Sequence, residues 1–275
     1  MIFNTLEKPL FYDVEVLTKR KETDNSYTYG FTFIKNQIVT KLEFVPGQFN
    51  LLDIPGLGLY KSTIVSNPKK TDIFQHTIHY AVKNSIEYKI IEKLMEGTVI
   101  KVAGPFGNGW AKSNLHGKNL LVIAGGLGFR SARPMLDYIE HRRVLFNEVE
   151  VLYTVKTPKD FLYSYDYERW KNAKIDMKLI VENIPFSANT SNVQYKKGLI
   201  VSLLRDMKSS NEDTMVLISG SEMMIKFTIN FLFRKQFSEK QIYVSLDYLL
   251  NKPDSNWVAL NGPIFTLEQI KSWLI

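Results

Sequence analysis

The stretch "NLLVIAGGLGFRSARPMLDYI", residues 119–139, constrains this chain more than any other. Leu120, Leu121, Val122 and Ile123 form a continuous apolar run, the pattern of a strand covered on both faces. Gly125, Gly126 and Gly128 follow at once, and a segment of helical period comes after them. Strand, glycine turn and helix in that order make a βα unit. The glycines let the backbone approach a ligand closely, and the helix start offers unpaired N–H groups and a positive dipole end to a phosphate. A glycine turn also serves as a plain connection, so the rest of the chain decides between the two.

Before residue 119 the pattern is different. Residues 11–20, 28–34, 39–45, 48–54, 61–66, 74–83 and 98–104 read as short strands rich in Val, Ile, Thr, Phe and Tyr, punctuated by Gly, Pro, Asn and Asp. One helix interrupts them, "SIEYKIIEKLMEG" at 85–97, with its glycine stop. From Asn119 onward strands at 119–124, 149–155, 175–181, 214–218 and 241–245 alternate with helices at about 130–142, 163–171, 197–208 and 221–236. That alternation predicts a parallel sheet covered by helices on both faces. The fold expected is a β barrel domain followed by an α/β domain with a parallel sheet. The units expected are 1–113, 114–240 and a C-terminal segment 241–275, with the main boundary in "GWAKSNLHGKN" at 109–119.

At 275 residues the chain is long enough for two such domains. Its net charge of +7 comes from lysines spread along the whole length, without a basic tail or an aromatic-interleaved cluster, so nucleic acid is not expected as a partner and the charge reads mainly as a solvated surface that also favours docking to an acidic partner. No stretch is long and apolar enough to span a membrane. The start, "MIFNTLEKPLFYDVEVL", with Glu7 and Asp13, reads as a first strand rather than a signal, which predicts a cytoplasmic protein. The absence of cysteine excludes disulfides, thiol catalysis and cysteine-ligated zinc or iron–sulfur sites in this chain. Nor do the four histidines make a metal site, because His76 and His79 stand at an odd offset on one strand and point to opposite faces, while His116 and His141 are isolated.

Further motifs flank the glycine turn. They are "FVPGQFNLL" at 44–52, "GLGLYKSTIVSNP" at 56–68 and "AGPFGNGW" at 103–110 in the first half, then "LYTVKTPKDFLYSYDYERW" at 152–170 and "LISGSEMMIKFTINFL" at 217–232. In this order they resemble the ferredoxin-NADP reductase superfamily. The resemblance is closest to its flavin subunits of multisubunit redox enzymes: the gamma subunit of sulfhydrogenase-type NiFe hydrogenases, the flavin subunit of anaerobic sulfite reductase and the electron-transfer subunit of dihydroorotate dehydrogenase. It covers nearly the whole chain and implies a flavin barrel followed by an NAD(P) domain, with electrons carried between nicotinamide and a partner subunit.

The resemblance also implies site residues. "YKST" stands at the family's flavin signature, so Thr63 is the residue expected near flavin N5, with Tyr60, Lys61 and Ser62 around the ring; Thr63 as an ordinary strand threonine is the alternative. "HYAVK" aligns with the strand lining the flavin and its phosphates, which brings in His79, Tyr80, Val82 and Lys83, a lysine that solvation alone would also explain. The family's glycine and threonine at the cap-helix start are replaced here by "NSIEYKII", where Asn84 and Ser85 can still donate. FAD is the expected flavin and FMN the alternative. Gly125, Gly126 and Gly128 are expected to receive the pyrophosphate of NAD or NADP, with Thr154, Lys156, Gly220 and Ser221 at neighbouring strand ends. Met223 and Met224 follow as contacts or core filler. Lys156 and Lys159 can accommodate a 2′-phosphate.

Close relatives carry a cysteine-rich [2Fe-2S] segment after a strand like "QIYVSL" and before an ending like "GPIFTLEQI". Here "YVSLDY" and "NGPIFTLEQIKSW" are joined by "LLNKPDSNWVAL", without a cysteine. The expectation is therefore no iron–sulfur cluster, and an acceptor cofactor carried by another subunit of a redox complex. That subunit would dock beside residues 247–260, with Trp257 as its anchor or as a structural core residue. The function expected is a flavin-dependent NAD(P)H oxidoreductase subunit. A self-standing NAD(P)H:flavin or ferredoxin reductase and a non-redox scaffolding subunit are the rival readings.

Overall fold

The structure is a computed structural model that describes residues 9–35, 41–184, 194–253 and 256–274. Its first half is a six-stranded sheet of β1 (Tyr12–Thr23), β2 (Ser26–Phe33), β3 (Phe49–Ile54), β4 (Gly58–Thr63), β5 (Ile73–His79) and β6 (Val99–Phe106), with α1 (Ile86–Lys93) between β5 and β6. Neighbouring strands pair antiparallel in the order β4-β3-β6-β1-β2-β5. The two outer strands come together where Ile64 bridges to His76, which curls the sheet into a barrel. Period-2 burial drives this closure: Val14 and Val16 of β1, Tyr29 and Phe31 of β2 and Phe74 and Ile78 of β5 all point inward and are fully buried. Phe31 and Phe74 stack at 5.6 Å. Each such aromatic contributes roughly 1.5–3 kcal/mol by burial, so the barrel is held from inside and its end is free to carry polar chemistry.

The second half begins after the short helix α2 (Lys112–Leu115). Its strands are β7 (Asn119–Gly125), β8 (Val149–Val155), β9 (Asp176–Val181), β10 (Lys196–Lys197), β11 (Thr214–Ser219), β12 (Ile242–Ser245) and β13 (Ile264–Thr266). Between them run α3 (Phe129–His141), α4 (Tyr167–Asn172), α5 (Ile200–Arg205), α6 (Glu222–Arg234) and α7 (Asn256–Asn261), and α8 (Leu267–Leu274) follows β13. The sheet order is β10-β9-β8-β7-β11-β12-β13, parallel except for the antiparallel edge strand β13. Strand order reverses between β7 and β11. Parallel strands part their connections at such a point and leave a crevice at their carboxyl ends. β7 and β8 are buried on both faces along nearly their whole length, as strands sandwiched between helix layers must be.

Four sequence expectations are adjusted by the structure. The strand expected at 39–45 is absent from the described part, residues 41–45, while 39–40 lie outside the described residues. Leu42 and Phe44 are buried in the barrel core and Lys41 and Glu43 are exposed, so the alternation reports burial; Leu42 N–H goes to Thr71 O at 2.7 Å instead of to a ladder. The helix expected at 163–171 shortens to α4, because Tyr163 takes a left-handed φ of 56° and a tight 3-10 turn precedes the helix. The helix expected at 197–208 shortens to α5. Residues 241–275, expected as a separate segment, supply β12 and β13 to the same sheet, and Val258, Ile270 and Leu274 belong to the core beneath it. Among the described residues, no helix is long and apolar enough to cross a membrane.

Candidate active site

A cleft of about 1200 Å³ opens where the barrel end meets the carboxyl edge of the parallel sheet at the β7/β11 switch. Gly125, Gly126 and Gly128 form its α/β wall together with Thr154 and Lys156 at the end of β8 and Gly220, Ser221 and Met223 after β11. The three glycines of the turn are needed for different reasons. A Cβ at Gly128 would lie 2.5 Å from Gly220 N and Ser219 C, so this glycine lets α3 pack on β11. A Cβ at Gly125 would collide with the Met224 thioether. Gly126, by contrast, has a left-handed φ of 50° and open space where its Cβ would be, and that space is cleft. The Ser221 side chain caps α6 by accepting from Met224 N–H at 3.4 Å, which fixes a helix start at the cleft lip. The methionine pair divides: Met224 fills the space over Gly125 and Gly220, whereas Met223 is 80% exposed on the rim.

The barrel wall is built from side chains. Tyr60 and His79 line it, and so do Arg130 from the first turn of α3, Glu87 from α1 and Asp247, Tyr248 and Asn251 from the segment after β12. Burial pushes the Tyr60 phenol up to about 12. His79 accepts or donates at Nδ1 with Ser26 Oγ at 3.0 Å, and burial, reinforced by the Arg130 charge, pushes its imidazole down to about 4. His79 therefore enters the cleft neutral at physiological pH. His76, at the odd offset, lies inside the barrel with both nitrogens used: Nδ1 donates to Thr63 O at 2.9 Å and Nε2 accepts from Asn50 Nδ2 at 3.1 Å.

Thr63 is buried one hydrogen bond behind the cleft lining. Its Oγ1 donates to Asp247 Oδ2 at 3.4 Å, and Ser245 Oγ donates to Asp247 Oδ1 at 3.4 Å. Arg130 stands 3.5 Å from the same Oδ2. Burial pushes the Asp247 carboxyl up, against the pull of the Arg130 charge and the two hydroxyl bonds. Lys61 is turned from the cleft to the segment after β12, where Nζ donates to Leu250 O at 3.0 Å. Ser62 is buried. β5 ends at His79, and the chain then turns outward: Tyr80 packs edge-on against Tyr88 at 5.0 Å, and Val82, at 68% exposed, and Lys83 project into solvent. The hydroxyl of Ser85 is occupied as the N-cap of α1, accepting from Tyr88 N–H at 3.2 Å. Of the residues expected from the sequence, Tyr60, His79, Gly125, Gly126, Gly128, Thr154, Lys156, Gly220, Ser221 and Met223 meet in the cleft; Lys61, Ser62, Thr63, Tyr80, Val82, Lys83 and Ser85 lie outside its lining.

Sequence reasoning passed over Arg130, Asp247 and Glu182, all of which line the cleft. Arg130 carried a local signal, a charged residue in the first turn of the helix that follows the glycine cluster. Glu182 follows β9 directly, where only the register of the parallel strands brings it to the site. Trp257 stands half-buried against the second core with its ring 5.5 Å from Phe265, so it packs on the core and keeps part of its surface exposed.

The cleft suits a large, flat, partly anionic ligand. It combines a glycine cradle open at Gly126, a capped helix start and an aromatic side chain. Two buried hydroxyls on its lining, Thr154 Oγ1 and Tyr248 Oη, have no hydrogen-bond partner among the described residues. No group of three or more His, Asp or Glu placed to hold a metal occurs among the described residues.

Comparison with known proteins agrees with this geometry. The oxidoreductase NAD-binding domain family matches residues 122–230, the segment from β7 into α6. The gamma subunit of sulfhydrogenase 2 from Pyrococcus furiosus is 26% identical over 277 residues, spanning 93% of this chain and 94% of the relative. Among solved structures, the FAD/NAD-binding domain of a nitric oxide dioxygenase from Vibrio cholerae superposes with a TM-score of 0.72 at 11% identity, covering 85% of this chain and 97% of that domain. An NADH-dependent reduced ferredoxin-NADP oxidoreductase superposes with a TM-score of 0.67 at 16% identity, covering 97% of this chain and 90% of the other. At these identities the structural likenesses establish the fold.

Proposed function

We propose that this chain, with its oxidoreductase NAD-binding segment at 122–230, is a member of the ferredoxin-NADP reductase superfamily and that it passes electrons between NAD(P)H and a partner redox subunit through a bound flavin. The observation that carries this reading is the cleft itself, with the glycine turn on one wall and Tyr60 of β4, in the segment that resembles the flavin signature, on the other. A flavin bound there would supply hydride acceptance from the nicotinamide and single-electron release, and the protein's task would be to position the rings and exclude water.

Gly126 lets the backbone approach the dinucleotide, and the helix start capped by Ser221 offers N–H groups to its phosphates. Thr154 Oγ1 supplies an unspent hydroxyl at the same edge. Lys156 is the residue for a 2′-phosphate and Glu182 the residue for free ribose hydroxyls, so the choice between NADP and NAD lies between these two side chains. On the barrel wall Tyr60 flanks the flavin ring, His79 offers a neutral imidazole, and Thr63 and Asp247 back the reacting side. FAD is the flavin proposed. With Ser85 spent as a helix cap and Lys61 tied to Leu250, its diphosphate would rest on backbone groups and Lys252, which leaves FMN as the variant to test.

Residues 1–275 hold no cysteine with which to ligate an iron–sulfur cluster, and the acceptor cofactor is proposed to be carried by a partner subunit. This favours the subunit reading over a self-standing reductase, and the open glycine cradle favours either over a scaffold. The test is to purify the chain from its host, extract and identify the flavin, and follow NADH and NADPH oxidation with and without the co-purifying subunit. Bound flavin and pyridine-nucleotide-dependent bleaching are expected, with turnover of a protein acceptor only in the complex. A colourless chain that fails to take up FAD or FMN would refute the flavin reading, and fast turnover of the isolated chain with ferredoxin would favour the self-standing reductase.

A further inference from the structure

Two arginines of α3 reach the barrel, and they do different work. Arg133 is buried in a seam away from the cleft: Nη1 donates to Val65 O at 3.1 Å and Gln75 Oε1 at 2.8 Å, and Nε donates to Asp166 Oδ2 at 3.0 Å. That seam joins the domains without involving the site. Arg130 stands on the cleft lining with a side chain 15% exposed, at the start of α3 beside the glycine turn. Its guanidinium reaches three separate segments. Nε donates to Leu127 O of the glycine turn at 3.2 Å, Nη1 donates to Thr77 O of β5 at 3.3 Å, and Nη2 stands 3.5 Å from Asp247, which also accepts from Thr63 of β4.

A planar fork of donors is suited to holding several acceptors in fixed relative positions, which an ammonium cannot do. The three acceptors belong to the turn that would carry the dinucleotide, the strand bearing His79, and the carboxylate behind Thr63. We propose that Arg130 is a positioning residue for stacking of the nicotinamide on the flavin, fixing the glycine turn relative to β4 and β5 through Leu127, Thr77 and Asp247. The proposal rests on the flavin and NAD(P) reading given above. Arg133 already docks the domains, so Arg130 is free to set the finer offset of the two ring sites. A misplacement of about 1 Å costs on the order of 10²-fold in rate when two reactants must be aligned.

The test uses the full chain with its flavin, compared with Arg130→Met and Arg130→Lys. Flavin content, the thermal unfolding midpoint, the dissociation constants of NAD+ and NADP+, and the long-wavelength charge-transfer absorbance of oxidised nicotinamide on reduced flavin are measured on each. Arg130→Met is expected to keep its flavin and its dinucleotide affinity, to lose the charge-transfer band, and to reduce the rate of flavin reduction on the order of 10²-fold. Arg130→Lys keeps the charge without the fork and is expected to recover a minor part of the band. Asp247→Leu removes one of the three acceptors and is expected to lose part of the band, and the double variant to lose less than the sum of the two, because the Arg130–Asp247 contact is cut in both. A full band in Arg130→Met, or losses that add in the double variant, would overturn the role. Should Arg130→Met lose its flavin, Arg130→Lys decides, since a full band there means that the fork is not needed. A wild-type chain that binds no flavin counts against the flavin reading, whereas a wild-type band matched by the variants counts against the positioning role alone.

Discussion

On the α/β wall of the cleft, much of what faces inward is backbone: Gly125, Gly126, Gly128 and Gly220, with a helix start capped by Ser221. On the barrel wall it is side chains, several already bound to one another, as in His79 with Ser26 and Asp247 with Thr63 and Arg130. A wall of backbone is specified by local sequence, because a glycine cluster between strand and helix makes it wherever it occurs. A wall of paired side chains exists only once distant segments have met. The first wall should therefore fail through steric change at single glycines, and the second through protonation or loss of a partner.

The largest effect is expected at Gly128. Alanine there places a methyl 2.5 Å from backbone atoms of β11 and the turn after it, which cannot rotate away. Gly128→Ala should therefore lose more than about 3 kcal/mol of stability, at or beyond the upper end of overpacking costs. Denaturant unfolding that shows a near-normal midpoint would mean that the α/β wall is softer than its packing implies.

Next in size is acid sensitivity of the barrel. Burial pushes His76 down to about 4, so the folded protein keeps this imidazole neutral while the unfolded chain takes up a proton below its ordinary value of 6.5. The unfolded state binds more protons in that window, and stability falls as pH falls from 6.5 to 4, by about 3 kcal/mol for this one residue. His79 changes in the same direction. Denaturant titrations at several pH values should show the slope, and His76→Gln should flatten it; an unchanged slope in the variant would place the acid sensitivity elsewhere.

Gly126→Ala separates the two kinds of glycine. Its φ of 50° makes alanine cost about 1–2 kcal/mol, but no atom obstructs the methyl. The fold should persist with flavin retained while NAD(P)H affinity falls, measured by titration. Unchanged affinity would show that the dinucleotide does not touch this wall. The smallest change is expected for Thr63→Val, which removes one long hydrogen bond to Asp247 and should slow flavin reduction by an amount worth about 0.5–1.5 kcal/mol. A wild-type rate would leave Thr63 as a strand residue only.

The same contrast governs what is legible in the sequence. The parallel sheet, its helices and the glycine turn follow from apolar runs and period, and their strands at 119–125, 149–155 and 176–181 lie within a residue of the expected ones. The barrel wall is less legible because its partners are remote: Thr63 and Asp247 are 184 positions apart, and nothing in "YKST" indicates which carboxylate will face it. "HYAVK" misleads for a different reason. Its alternating pattern suggests a strand running to Lys83, but the ladder to β2 stops at His79 and a turn with Asn84 at φ 67° leads into α1, so that Ala81 and Glu87 rather than Lys83 reach the cleft. Arg130 sits inside the most informative stretch, yet its three acceptors lie on segments that only the tertiary fold brings near.

The outer rim of the barrel bears on the chain's behaviour beyond the site. β4 ends the six-stranded sheet, and at Lys61 its outward N–H and C=O are both taken by the amide of Asn251, at 2.9 and 2.7 Å. A single side chain thus imitates a neighbouring strand. Exposed strand edges template the addition of another chain, and proteins avoid aggregation by covering them. Asn251 is such a cover, and without its amide the Lys61 N–H and C=O of β4 would stand open to the edge of another chain.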